Sequence, residues 1–230
     1  MTAHDRHDRP PARPEGRGTS DLDAERAPAA PPGSPEAIRG VYDRQARAHD
    51  RSRSRALFEE GWLARFAACL SPGGRVLDLG CGGGEPIGRW LVDRGFAVTG
   101  ADISPAMLEI ARTRWPAGDW READMATLDL GERFDGIVAW DSFFHLAPDA
   151  QRACIARMAA HLVPGGALLV TVGPDACEAQ GTVGGEPVYH ASLAPADYAT
   201  CSERNGLRLT GFLAEDEDTD RHSVLMARKT

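Results

Sequence analysis

The sequence predicts an α/β domain: a seven-stranded, mostly parallel sheet with an antiparallel last strand, helices on both faces and a helical cap on its N-terminal side. Three observations carry this. Short apolar runs alternate with helix-period segments from about residue 36 onward, the pattern of parallel strands joined by covering helices. A glycine-rich turn, Gly80 to Gly84, stands between the first of these runs and the helix after it. The last two runs, 207–215 and 222–228, are separated only by the polar link EDEDTDR, so they form an antiparallel hairpin.

The elements follow in order. Residues 1–35 hold seven of the 16 prolines, and Met1 and Leu22 are their only large aliphatic side chains. Such a stretch buries too little apolar surface to offset its ordering entropy, so a disordered tail is expected before a single domain over 36–230. The cap, 36–70, comprises a helix over about 36–48 and another over about 55–70. In the second, Leu57, Phe58, Trp62, Leu63, Phe66 and Leu70 recur at helical spacing.

Strands are expected at 75–80, 96–102, 119–124, 134–140 and 167–173. Ser104-Pro105 is an N-cap and first-turn signal for the helix after the second strand, and a further helix spans about 148–162. Residues 174–194 make a connection longer than a compact domain tolerates without a use, which suggests a lid-like insertion over the site. A helix near 195–205 then leads into the closing hairpin.

Charge and composition exclude several classes. The net charge is −8, from 26 basic and 34 acidic residues, and the tail contributes little of it. That balance opposes binding by phosphate neutralisation, so nucleic acid is not an expected partner. No apolar run approaches the ~20 residues of a membrane span, and the first thirty residues lack a signal-peptide pattern, so a cytoplasmic protein is expected. The five cysteines are scattered without a CxxC pair, which suggests neither a disulfide framework nor a metal site.

A glycine turn lets the backbone approach a ligand closely, and an acid at the end of the next strand can hold ribose hydroxyls. Asp102 lies at that strand end. The turn reads DLGCGGGEP, with Glu85 where a dinucleotide fingerprint has its third glycine. A negative charge there suits a cationic ligand better than a pyrophosphate. This disfavours, without removing, a nicotinamide-dependent oxidoreductase.

An acidic residue followed by GxGxG, here Asp78-Leu79-Gly80-Cys81-Gly82-Gly83-Gly84, resembles the first motif of the class I S-adenosylmethionine-dependent methyltransferases. VTGADISPAMLEIAR, EADMATLDL, FDGIVAWDSFFHL and LVPGGALLV follow in the family's order over about residues 38–228. The similarity is greatest to bacterial small-molecule members with a helical N-terminal cap. It implies a Rossmann-like fold with S-adenosylmethionine as cofactor and the following roles. Asp102 holds the ribose hydroxyls and Ile103 packs on adenine; Asp124 accepts from the adenine amino group and the Met125 N–H donates to the ring. The Gly80 and Trp140 carbonyls bind the methionine amino group. Tyr42 and Arg53 are candidates for its carboxylate, although Arg53 reads equally well as one more surface arginine. Gly82 belongs to the same cofactor-binding turn, which Asp78 is expected to fix by accepting backbone N–H groups.

Methyl transfer is largely a positioning task, and a base is needed only when the acceptor must lose a proton. His145, His190 and Asp141 are the candidates for that work. His145 as an N-cap or packing residue, and His190 as a loop-fixing hydrogen bonder, are the structural alternatives. Trp140, Phe143, Phe144 and Tyr189 are placed around the mouth, where a flat acceptor would stack. The segment after the fourth strand lacks the (D/N)PP(Y/F) motif of amide and adenine methyltransferases. A small aromatic or heterocyclic metabolite is therefore the expected acceptor, in the manner of antibiotic tailoring. A non-catalytic protein that binds S-adenosylmethionine or a partner is the rival reading.

Overall fold

The computed structural model describes residues 30–230. Of the expected tail, residues 1–29 lie outside the described residues. Pro31–Ser34 is a turn closed by the Ser34 N–H on the Pro31 carbonyl (3.1 Å).

A single seven-stranded sheet forms the centre. Its strands are β1 (Arg75–Leu79), β2 (Ala97–Asp102), β3 (Asp119–Glu122), β4 (Phe134–Ala139), β5 (Leu162–Val172), β8 (Leu207–Asp216) and β9 (His222–Lys229), in the order β3-β2-β1-β4-β5-β9-β8. β1 to β5 pair in parallel, and β9 runs antiparallel to both its neighbours. The last strand is thus inserted between β5 and the edge strand β8.

Strand alternation sorts the core into two layers. Leu77, Leu79, Ile137, Leu168, Val170 and Leu225 pack with Cys154, Ile155 and Met158 of α5 (Pro148–His161) and Tyr198 of α6 (Pro195–Arg204). Val76, Val138, Ala167, Leu169 and Met226 face the other way. They meet Trp62, Leu63 and Phe66 of α2 (Glu60–Ala67) and Trp90 and Leu91 of α3 (Ile87–Asp93). Gly136 lets Phe66 close onto β4, since a Cβ there would stand 2.4 Å from the ring. The N-cap predicted at Ser104 is present: its Oγ accepts from the Met107 N–H of α4 (Pro105–Arg114).

Two expectations change. The second cap helix begins at Glu60 rather than 55, because Leu57 takes a left-handed φ of 54° and Phe58 is exposed. The insertion 174–194 is a β-hairpin, β6 (Cys177–Val183) with β7 (Glu186–Ser192), rather than an irregular connection. Gly184 and Gly185 both have positive φ and supply its two-residue turn. Its strands escape a pattern search because β6 is almost entirely exposed and shows no apolar alternation. The hairpin lies against α1 (Ile38–Ser52), with Val188 packed on Ile38 and Val41, and Glu186 accepting from Arg44 and Gln45. Among the described residues no helix is long and apolar enough to cross a membrane.

Candidate functional site

The carboxyl ends of β1, β2 and β4, roofed by α1, enclose a cavity of about 670 Å³. At its floor the glycine turn passes so close to the chain after β4 that a Cβ on Gly80, whose φ is +79°, would stand 2.2 Å from Ser142 Cβ. The Ser142 hydroxyl donates to the Leu79 carbonyl (2.9 Å) and fixes that approach. Asp102, Ile103, Asp124, Met125, Gly80, Gly82 and Trp140 all line the cavity. Asp124 Oδ1 accepts from the Ala126 N–H (2.8 Å), which shapes the turn carrying Met125.

Asp78 does not fix the turn. Asp102 does so instead, accepting from the N–H groups of Gly82 and Ser104 (2.8 Å each). Asp78 is buried and its carboxylate makes no hydrogen bond to the described residues; burial and the neighbouring Asp102 push its carboxyl up to about 7.

α1 is strapped over this floor by polar contacts. Ser104 Oγ donates to Asp43 (2.6 Å), Arg114 pairs with Asp50 (2.7 Å) and Arg55 pairs with Glu85 (3.0 Å). Glu85, at the third-glycine position of the turn, is thus an anchor for the segment after α1.

These residues fit S-adenosylmethionine. The volume is that of a cofactor site. Carboxylates outnumber guanidinium groups in its wall by eight to two, which suits a cation. The Trp140 indole N–H is buried without a partner among the described residues, a donor left for a bound molecule.

A second chamber of about 430 Å³ adjoins the first, and Tyr42, His49, Arg53, Trp140, Asp141 and His145 line both. Asp141 has a left-handed φ of 54° and its amide donates to Thr171 Oγ1 (2.8 Å). Its Oδ1 meets His222 Nε2 at 2.7 Å and its Oδ2 meets Arg53 Nη1 at 3.1 Å. Arg53 also donates to the buried Glu59 (2.6 Å), so it belongs to an ion cluster rather than to the open surface or to a free carboxylate clamp. The carboxylate of Asp141 pushes His222 up to about 9, which leaves it charged at neutral pH.

His145 is fully engaged. Its Nδ1 lies 2.8 Å from the Tyr189 carbonyl, which only accepts, so Nδ1 carries the proton and Nε2 accepts from the Tyr42 hydroxyl (2.9 Å). Burial holds this imidazole down to about 4 and raises the Tyr42 phenol. The His145–Tyr42 pair ties the chain after β4 to α1 and to the hairpin. His190 projects from β7 across Gly181, against the rings of His145 (5.0 Å) and Phe144 (4.8 Å), and burial lowers it.

Two of the expected mouth aromatics are elsewhere. Phe143 is core, packed near Tyr198, and Tyr189 extends its hydroxyl to Glu178. Trp140 and Phe144 line the second chamber. Sequence reasoning missed His49, Glu59 and His222. No local motif marks them, since each matters through partners from other elements.

Residues 76–166 match the family model described as a methyltransferase domain. Part of the chain is 38% identical over 97 residues to the dTDP-3-amino-3,6-dideoxy-alpha-D-glucopyranose N,N-dimethyltransferase of Streptomyces fradiae, covering 41% of this chain and 38% of that protein. Another match, to glycine N-methyltransferase of Rattus norvegicus, is 34% identical over 141 residues, 52% of this chain and 46% of the relative. The chain spans half or less of the length of these curated relatives. Solved structures agree in fold: the CcbJ methyltransferase of Streptomyces caelestis (TM-score 0.67, 23% identity, 83% of this chain and 98% of that one) and CalS10, an amino pentose methyltransferase of Micromonospora echinaspora (0.62, 21%, 81% and 96%). Residues 76–166 thus carry a methyltransferase domain, and the chain has the fold of these solved methyltransferases.

Proposed function

We propose that the protein transfers a methyl group from S-adenosylmethionine to a small metabolite. The observation that carries this reading is the junction of the two chambers, where a cofactor-sized cavity opens onto a smaller one through six shared residues. S-adenosylmethionine supplies a methyl carbon already activated by a positively charged sulfur. The chain's part is to orient: Asp102, Ile103, Asp124 and Met125 form the nucleoside end of the first cavity. Trp140 and Asp141 stand where the second chamber begins. The pair of chambers sets a bound acceptor in line with the donor and excludes water between them.

The second chamber's aromatic walls, Trp140 and Phe144, support an acceptor with a flat face. The curated and structural relatives support a natural-product or amino-bearing metabolite. The acidic cavity and the net charge oppose a nucleic-acid substrate.

Calorimetry tests the donor half: S-adenosylmethionine and S-adenosylhomocysteine bind, and Asp102→Ala loses most of that affinity. No heat from either, with binding of a nicotinamide dinucleotide instead, overturns the reading. Turnover with tyramine, catechol, glucosamine and glycine tests the acceptor half, and binding of the donor without transfer to any acceptor found in its genomic neighbourhood would favour the non-catalytic rival.

A further inference from the structure

We propose that His49 is the general base for the methyl acceptor, which is accordingly a nucleophile bearing a dissociable proton, an amine or a hydroxyl. This rests on the methyl-transfer reading above and adds to it the residue that receives the proton.

The argument begins at the junction. A proton acceptor for the reaction must reach both chambers, and six residues do. Five are already committed or chemically unsuited. Tyr42 donates to His145, and both nitrogens of His145 are occupied. Both oxygens of Asp141 are held by His222 and Arg53. Arg53 is a permanent cation, and Trp140 offers only an N–H donor. His49 remains: neither of its ring nitrogens hydrogen-bonds to any described residue. Its backbone is nevertheless fixed, since its carbonyl accepts from the Arg53 N–H (2.8 Å) and from Ser52 Oγ (3.0 Å). The Tyr42 ring, edge-on at 5.2 Å, limits its rotation. His190 is also uncommitted but lines only the second chamber, away from the donor.

The surroundings keep the His49 ring neutral. Burial and the Arg53 cation lower it, against opposing pulls from Asp141 after β4 and Asp50 on α1. Tyr42 on α1, Glu59 before α2, His145 after β4 and Asp220 before β9 line the second chamber with it. His190 on β7 and His222 on β9 face the same chamber.

As the acceptor's lone pair forms a bond to the methyl carbon, the carbon–sulfur bond breaks and its electron pair stays on sulfur. The proton released from the acceptor nitrogen or oxygen passes to the free nitrogen of His49 and on to solvent.

The full chain, carrying 13C at histidine Cε1 and saturated with S-adenosylhomocysteine, is titrated by NMR from about pH 5 to about pH 8. The expected result is a His49 signal, assigned by its loss in His49→Asn, that titrates as one proton below the ordinary imidazole value. A signal that stays fixed across that range overturns the proposal. Calorimetry of His49→Asn and His49→Gln should give S-adenosylhomocysteine affinity within about threefold of the parent. A loss of affinity beyond about tenfold in both assigns His49 to the donor and also overturns it. With whichever of tyramine, catechol, glucosamine and glycine is turned over, both variants lower kcat by about 10²–10⁴-fold and remove the acid limb of the kcat/KM profile. An unchanged kcat and acid limb refute the assignment. Failure of the parent protein to bind S-adenosylhomocysteine at all is a different result, and it removes the methyl-transfer reading itself.

Discussion

Replacing His222 with Gln removes one charge from the Asp141–His222 pair while keeping a side chain that reaches the same carboxylate. The Asp141 carboxylate, with the Thr219 carbonyl behind the ring, raises the imidazole from 6.5 to about 9. A group raised in the folded state contributes fully below its unfolded pKa and loses that contribution as pH rises through its folded one. The window therefore runs from 6.5 to about 9. A shift of that size corresponds to about 3 kcal/mol, and partial exposure of both side chains, 26% and 29%, screens it to about 2 kcal/mol. In a domain of this length that is a Tm change of about 4–8 °C. The assay is thermal or urea unfolding of parent and His222→Gln at about pH 6 and about pH 9.5. The parent should lose about 2 kcal/mol more than the variant across that interval, because the other titrating groups are common to both proteins and cancel. Parallel pH profiles for the two proteins would show that the ion pair contributes nothing to folding.

Three further outcomes are expected. Asp78→Asn should stabilise the ligand-free protein above about pH 7, where the parent must bury a charged carboxylate, and should flatten the rise with pH in affinity for S-adenosylmethionine over S-adenosylhomocysteine; an unchanged affinity ratio would remove Asp78 from the cationic ligand's surroundings. Gly80→Ala forces a Cβ against Ser142 at a positive φ, so it should cost more than about 2 kcal/mol and abolish S-adenosylhomocysteine binding, as read by urea unfolding and calorimetry. Tyr198→Phe deletes a buried hydroxyl that donates to Gln151 (2.7 Å) and accepts from the Leu193 amide (3.1 Å). It should cost about 1–3 kcal/mol in urea while leaving S-adenosylhomocysteine affinity unchanged.

The sheet was readable because buried parallel strands leave continuous apolar runs, as in Ile137 to Ala139 and Leu168 to Val170. The glycine turn and Asp102 were readable because their geometry depends on neighbours close in the chain. The second chamber was not. Tyr42 meets His145 across 103 positions and Asp141 meets His222 across 81, and only the folded topology brings such residues together. His145 shows the same limit in reverse: its position after β4 suggested an available base, whereas tertiary contacts from α1 and β7 occupy both of its nitrogens. The hairpin was hidden for a different reason, since Cys177–Val183 is stabilised by backbone pairing and by α1 rather than by an apolar face of its own.

The two chambers draw on different parts of the chain, and that division has a consequence for divergence. The donor cavity is framed by strand ends and a glycine turn, where a substitution such as Gly80→Ala collides with the Ser142 side chain. The outer rim of the second chamber is made by Ser54 and Phe58 between the cap helices, Thr182 and Val183 on the hairpin, and Asp220 in the last turn. None of these belongs to either core layer of the sheet. A lineage, or an engineer, can therefore exchange the rim residues and retune which metabolite is accepted while the donor half and the fold stay as they are.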